Sequence, residues 1–173
     1  MGSLKGSPGG EYYKSWANYF VKFYEAYKEK GITMWGFTQQ NEPTTGFLPW
    51  KWQTMAMSPY TERDFLKMDL GPALFNASNG EVKIMVLDDN RGVLPWWANV
   101  ILGDSEANAY AAGVAVHWYH DTLRSSSVLE STHNNHPDKF ILNTEACQGF
   151  LPFASSVILG MRKRYHNFCS ISL

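Results

Sequence analysis

The 173-residue sequence carries 15 Lys and Arg against 16 Asp and Glu, a formal net charge of −1, and is 45% apolar and 15% aromatic. That length and apolar content suit one globular domain with a core and exclude a disordered chain. A near-neutral balance with no long basic stripe argues against a dedicated nucleic-acid binder, and no apolar run reaches the length of a membrane span.

The opening Met1–Gly10 stretch is Gly-rich and polar, hence loop; it has no apolar h-region, so no signal peptide is visible. From Glu11 to Lys30, Tyr12, Trp16, Tyr19, Phe20, Phe23 and Tyr27 recur at helical spacing, which predicts a helix with one core-facing aromatic stripe. Lys28, Lys30 and Gly31 suit its C-terminal end. Ile32–Thr38 reads as a first strand, Gln39–Glu42 as its polar end, and Pro43 stops further pairing. Residues 44–59, with Trp50, Trp52, Met55 and Met57, form a loop too long and apolar to be ordinary. It is either a lid or binding wall, or a segment packed on a neighbouring loop.

Ser58-Pro59 opens a helix filled by Phe65, Leu66, Met68, Leu70, Leu74 and Phe75, with a kink expected at Gly71-Pro72. Asn76-Ala77-Ser78 is an N-glycosylation sequon, weak evidence for secretion taken alone. Val82–Leu87 is a second strand, ending in Asp88-Asp89-Asn90-Arg91. Short helical pieces at 94–101 and 105–112 precede a third strand, Val114–Trp118, which ends at Tyr119-His120-Asp121. A helix containing Leu123, Val128 and Leu129 leads to a fourth strand, Phe140–Asn143, closed by Glu145.

Strand and helix alternate four times, which predicts a parallel sheet with right-handed crossovers. A complete (β/α)8 barrel needs about 250 residues and eight strands. The α/β pattern therefore reads as a partial TIM barrel over residues 1–150, followed by a divergent tail, 151–173, that contains Arg162-Lys163-Arg164.

Glu42 and Glu145 both stand at the ends of buried parallel strands, where α/β enzymes keep their chemistry. One such acid alone would read as a helix N-terminal charge. Two suggest the carboxylate pair of glycoside hydrolysis. Rival chemistries have less behind them. Cys147 and Cys169 make no disulfide framework, and His117/His120 and His133/His136 lack a third ligand at metal-site spacing. No phosphate loop or dinucleotide fingerprint occurs, so neither a metal nor a cofactor is expected.

Four motifs then carry a resemblance: Asn41-Glu42-Pro43, Leu87-Asp88-Asp89, Ala115-Val116-His117-Trp118-Tyr119 and Thr144-Glu145-Ala146-Cys147. In this order they resemble glycoside hydrolase family 30, and within it the lysosomal glucosylceramidases. The resemblance covers about residues 2–150 and implies barrel strands four to seven, without the remaining strands or the family's β-sandwich. It implies a retaining β-glucosidase that cleaves glucosylceramide to glucose and ceramide, with Glu42 as acid/base and Glu145 as nucleophile. Another family 30 activity, a β-1,6-glucanase or xylanase, is the enzyme alternative; a non-catalytic truncated product is the other.

Asn41 is then expected to bond the sugar 2-hydroxyl, or else to be a satisfied buried amide. Tyr119 is expected to donate to a catalytic carboxylate, and His117 to face the substrate or to be a core histidine bonded to its neighbours. Asp88, Asp89 and Arg91 are expected to form a salt-bridged rim that orders the site, or, favoured for Arg91, a solvated or purely structural cluster. Trp50 and Trp52 fall where the family lines its entrance for lipid. The resemblance also implies glycosylation at Asn76, a lysosomal location, a membrane surface and a saposin-type activator. Four strands alone expose two sheet edges, so the isolated chain is expected to be inactive.

Overall fold

The computed structural model describes residues 2–48 and 53–146. The Trp50 and Trp52 expectations, Cys147 and the tail lie outside the described residues.

Helix α1 spans Glu11–Glu29 and leads to the short strand β1, Gly36–Thr38. Helix α2, Pro59–Phe65, passes through a π-turn, Leu66–Leu70, into α3, Gly71–Ser78. Strand β2 is Lys83–Asn90; α4 is Trp96–Leu102 and α5 Ser105–Tyr110. Strand β3 is Ala111–His117, α6 Ser127–Asn135 and β4 Phe140–Glu145. All four strands are parallel, in the order β1-β2-β3-β4. This is half of a (β/α)8 barrel, with helices packed on one face of the sheet.

Local chemistry explains the boundaries. Ser58 Oγ accepts the Thr61 N–H at 3.1 Å and caps α2, with Pro59 at its first position. Asp104 Oδ1 accepts from Glu106 and Ala107 N–H at 3.1 Å and caps α5. Asn79, left-handed at φ 54°, ends α3.

Two expectations need correction. The residues α1 buries are Tyr13, Ala17 and Tyr24, while Tyr12, Tyr19 and Tyr27 are exposed. The buried stripe is rotated around the helix, because α1 packs on α3 and the π-turn, and Phe20 and Phe23 reach sideways to Phe37 of β1. At Gly71-Pro72 the helix does not simply kink. The preceding turn widens to π geometry, which tolerates the missing proline donor. Gly71 itself lies so close to Tyr110 of α5 that an added Cβ would meet that ring at 2.4 Å.

The core is a single cluster in which Phe65, Leu66, Leu70 and Leu74 meet Val86, Val114, Trp97 and Ile101. Strands β2 and β3 are buried almost throughout, whereas β1 and β4 are half-exposed along their whole length.

Candidate active site

Parallel register brings the strand ends together. Asn90 pairs with His117, and His117 with Glu145, so these residues share one level at the C-terminal edge of the sheet. Thr38 ends β1 at the same edge, and Glu42 follows four residues later. A carboxylate oxygen of Glu42, a ring nitrogen of His117 and a carboxylate oxygen of Glu145 all lie within 4.8 Å of one another.

Strand β2 does not run straight into this cluster. The β2–β3 register slips between Leu87 and Asp89, leaving Asp88 as a bulge residue. Leu87 and Asp88 are both left-handed, at φ 77° and 54°. Glu42 is left-handed as well, at φ 43°. Non-glycine residues in this region cost of order 1–3 kcal/mol each and persist where their surroundings hold them. Here the hold is visible. The Glu42 N–H donates to the Asp88 carbonyl at 2.9 Å, and the Leu87 N–H donates to Glu62 Oε1 at 2.8 Å.

The bulge turns the Asp88 side chain into the site. Its Oδ2 accepts from Thr38 Oγ1 at 2.5 Å and its Oδ1 from Thr144 Oγ1 at 2.7 Å. His117 Nε2 lies 3.2 Å from Asp88 Oδ1, and Nδ1 lies 3.2 Å from Glu42 Oε1. Burial alone would lower the His117 pKa, but the bonds to Asp88 and Glu42 and the charges of Asp88 and Glu145 outweigh it and push it up to about 10. Burial opposes the charge of Asp88 too, yet its bonds from His117, Thr144 and Thr38 hold its pKa below the usual carboxylate value. His117 is therefore an imidazolium wedged among three carboxylates. The three groups form a charge network, with the His117 ring nitrogens facing the carboxylates of Glu42, Asp88 and Glu145.

Glu145, the last residue of β4, accepts a hydrogen bond from the Tyr119 hydroxyl at 2.7 Å on Oε1, and its Oε2 lies 3.7 Å from His117 Nε2. Its side chain is about one-third exposed, at 34%, against 18% for Glu42 and 1% for His117. The two acids thus face open space while the histidine beneath them does not.

Several expected residues need relocating. His117 is buried, with Nδ1 3.2 Å from Glu42 and Nε2 3.2 Å from Asp88. Asn41 is exposed beside Glu42 rather than a buried amide. Asp88, Asp89 and Arg91 do not form a shared rim. Asp89 Oδ2 accepts from the backbone N–H and hydroxyl of Thr44 and pins the segment after Pro43, at 3.0 and 2.6 Å. Arg91 turns away to Asp121, Nη1 to Oδ1 at 3.2 Å, and to the carbonyls of Asp121 and Arg124. Asn76 is exposed on the last turn of α3, while the Ser78 hydroxyl is buried and donates to the Leu74 carbonyl at 2.7 Å.

Sequence reasoning passed over Thr38, Thr144 and Glu62. The two threonines flank the acid-bearing stretches and carried a weak signal by position. Glu62 carried none, since an acid in the first turn of a helix is ordinarily a solvated dipole partner.

A family model for the glycosyl hydrolase family 30 TIM-barrel domain matches residues 1–172. The chain belongs to glycosyl hydrolase family 30. Putative glucosylceramidase 4 of Caenorhabditis elegans is 51% identical over 153 residues, 87% of this chain and 30% of that protein. Mouse lysosomal acid glucosylceramidase is 47% identical over 161 residues, 92% of this chain and 31% of the mouse protein. An endo-1,6-β-D-glucanase of Neurospora crassa is more distant, at 37% over 128 residues, 73% of this chain and 25% of its own. Among solved structures, an endo-β1,6-glucanase superposes with a TM-score of 0.72 at 30% identity, covering 86% of this chain and 32% of that one. The chain thus spans under a third of the length of the curated glucosylceramidases it matches.

Proposed function

We propose that this chain supplies both acids of a retaining β-glucosidase that cleaves glucosylceramide within a complete barrel. The observation that carries the reading is the Glu42–Glu145 pair, whose oxygens lie within 4.8 Å at the C-terminal edge of the sheet. Retaining glycosidases hold their carboxyl groups about 5–5.5 Å apart, inverting ones about 6.5–9.5 Å. Glu145, oriented by Tyr119 through Oε1, attacks the anomeric carbon with Oε2. Glu42, with Oε1 bonded to His117, presents its other oxygen to protonate the departing glycosidic oxygen. Ceramide leaves, and Glu42 then takes a proton from the water that frees glucose. Asn41, exposed beside Glu42, is proposed to bond the sugar 2-hydroxyl.

The glucosylceramide assignment, rather than a β-1,6-glucan, is supported by 46–52% identity to five proteins named glucosylceramidase, against 33–37% for the two endo-1,6-glucanases. A lysosomal location is supported by the name of the mouse relative, and a membrane-borne lipid substrate brings with it the membrane surface and a saposin-type activator. Trp50 and Trp52 are proposed to meet the lipid part of the substrate, and Asn76 to carry a glycan.

The test is a graft in which residues 2–146 replace the matching segment of the mouse enzyme. Turnover of glucosylceramide and of a fluorogenic β-glucoside is expected. Glu42→Gln should lose about 10²–10⁴-fold on glucosylceramide and far less on a glucoside with a good leaving group. Equal losses on both substrates would refute the acid role.

A further inference from the structure

The left-handed turn at Leu87-Asp88 lies directly behind the two acids. Asp88 touches Thr38, Thr144 and His117, and its carbonyl fixes the Glu42 backbone. A change in this turn therefore moves His117 and both ends of Glu42 together. Asp tolerates the left-handed region, but Leu87 at φ 77° does not favour it.

The Leu87 N–H lies beside the register slip and finds its partner off the strand. It points at Glu62 on α2. Glu62 is 1% exposed, and three donors converge on it: Leu87 N–H at 2.8 Å and Gln39 Nε2 at 3.2 Å on Oε1, and Trp97 Nε1 at 2.5 Å on Oε2. These donors come from β2, from the segment leading to Glu42, and from α4. A buried acid with no cation beside it is costly unless hydrogen bonds satisfy it, and one of these bonds falls on the strained turn.

We propose that Glu62, which touches no reacting atom, is a positioning residue for the glucosidase chemistry: by accepting the Leu87 N–H it holds the turn that aims Asp88 at His117. This rests on the glucosidase reading above. The role needs an acceptor rather than a charge. Gln39 Oε1 is buried and has no hydrogen-bond partner. A half-turn of that amide sets Oε1 against Glu62 Oε1, where it accepts from the protonated carboxyl. Burial pushes the Glu62 pKa up to about 7, which agrees with a neutral form being accommodated.

The test uses the graft and compares Glu62→Gln with Glu62→Met, which has similar length but no acceptor. Hydrogen bonds to charged groups are worth about 1.5–3 kcal/mol, so the Met variant should lose roughly 10- to 100-fold in kcat while KM stays within about threefold. Glu62→Gln, which keeps a carbonyl for the Leu87 N–H while its NH2 displaces the Trp97 N–H, should keep at least about tenfold more kcat than Glu62→Met. If the Met variant does not fold, replacing Leu87 by its α-hydroxy acid removes the same N–H with no cavity, and the same kcat loss is expected. A folded Met or ester variant with undiminished kcat would overturn the proposal while leaving the glucosidase reading intact. An unsubstituted graft without turnover would sink the glucosidase reading, and this proposal with it.

Discussion

The central strands and the outer strands of this sheet do different work. β2 and β3 are buried nearly end to end and carry Asp88 and His117, whereas β1 and β4 are half-exposed and lead to Glu42 and Glu145. The two acids proposed to react thus arrive from the less buried strands, and the groups that fix them arrive from the most buried ones. The difference teaches how a reactive pair can be open to substrate and still be rigid. Solvent access belongs to the outer strands, and geometry is imposed by a charge network anchored in the core. The same difference marks a weakness, since β1 and β4 are the two ends of the described sheet and present unpaired backbone.

The largest expected effect comes from those ends. The 173-residue chain by itself should show no β-glucosidase turnover and should associate as concentration rises, read by light scattering, whereas the graft should be active and monodisperse. A monomeric, cooperatively unfolding, active chain would break the contrast between centre and edge.

A smaller effect should follow from removing the cation at the centre. His117→Phe leaves Asp88 buried without its partner, and breaking a buried pair in this way costs about 3–5 kcal/mol. Urea melts of the graft at pH 6 should show a loss of that size. The pH window follows from the raised pKa, about 10 against an ordinary 6.5. His117 supports the fold fully below pH 6.5, and that support is lost as pH rises toward 10. The Phe variant should lack this alkaline slope.

The smallest effect concerns Glu62. The charged groups that raise its pKa beside burial are Asp88 and Asp89, and the folded value is about 7 against an ordinary 4.5. The folded state therefore holds the proton more tightly than the unfolded one. The contribution of Glu62 to stability should be greatest below pH 4.5 and should fall as pH rises to about 7, by about 3 kcal/mol from a shift of this size. Glu62→Gln should flatten that slope in melts taken at half-unit steps, without altering the His117 slope above it.

Much of this was legible in the sequence, and the reason is local. The order of strands follows from short apolar runs bounded by Gly, Pro and polar residues, and Glu42 and Glu145 stood out because strand ends converge in parallel sheets. Tyr119 was legible through motif resemblance. The bulge was not: Leu87-Asp88-Asp89 reads as the end of a strand, and its left-handed turn depends on partners far away in sequence. Glu62 was not legible for the same reason, since burial of a first-turn acid is set by Trp97 and Gln39, 35 and 23 residues distant. The α1 stripe was misread because helical spacing fixes that a face exists, while the neighbours available to cover it decide which residues it buries.

The central claim is that Glu145 is the nucleophile of a retaining site whose geometry this chain already holds. It is tested most directly by trapping the glycosyl-enzyme in the graft with a 2-deoxy-2-fluoro-β-glucoside and mapping the modified peptide by mass spectrometry. The account predicts one added fluoroglucosyl group on the peptide containing Glu145, and none in Glu145→Gln. Modification at another carboxylate, or trapping that persists in Glu145→Gln, would contradict it.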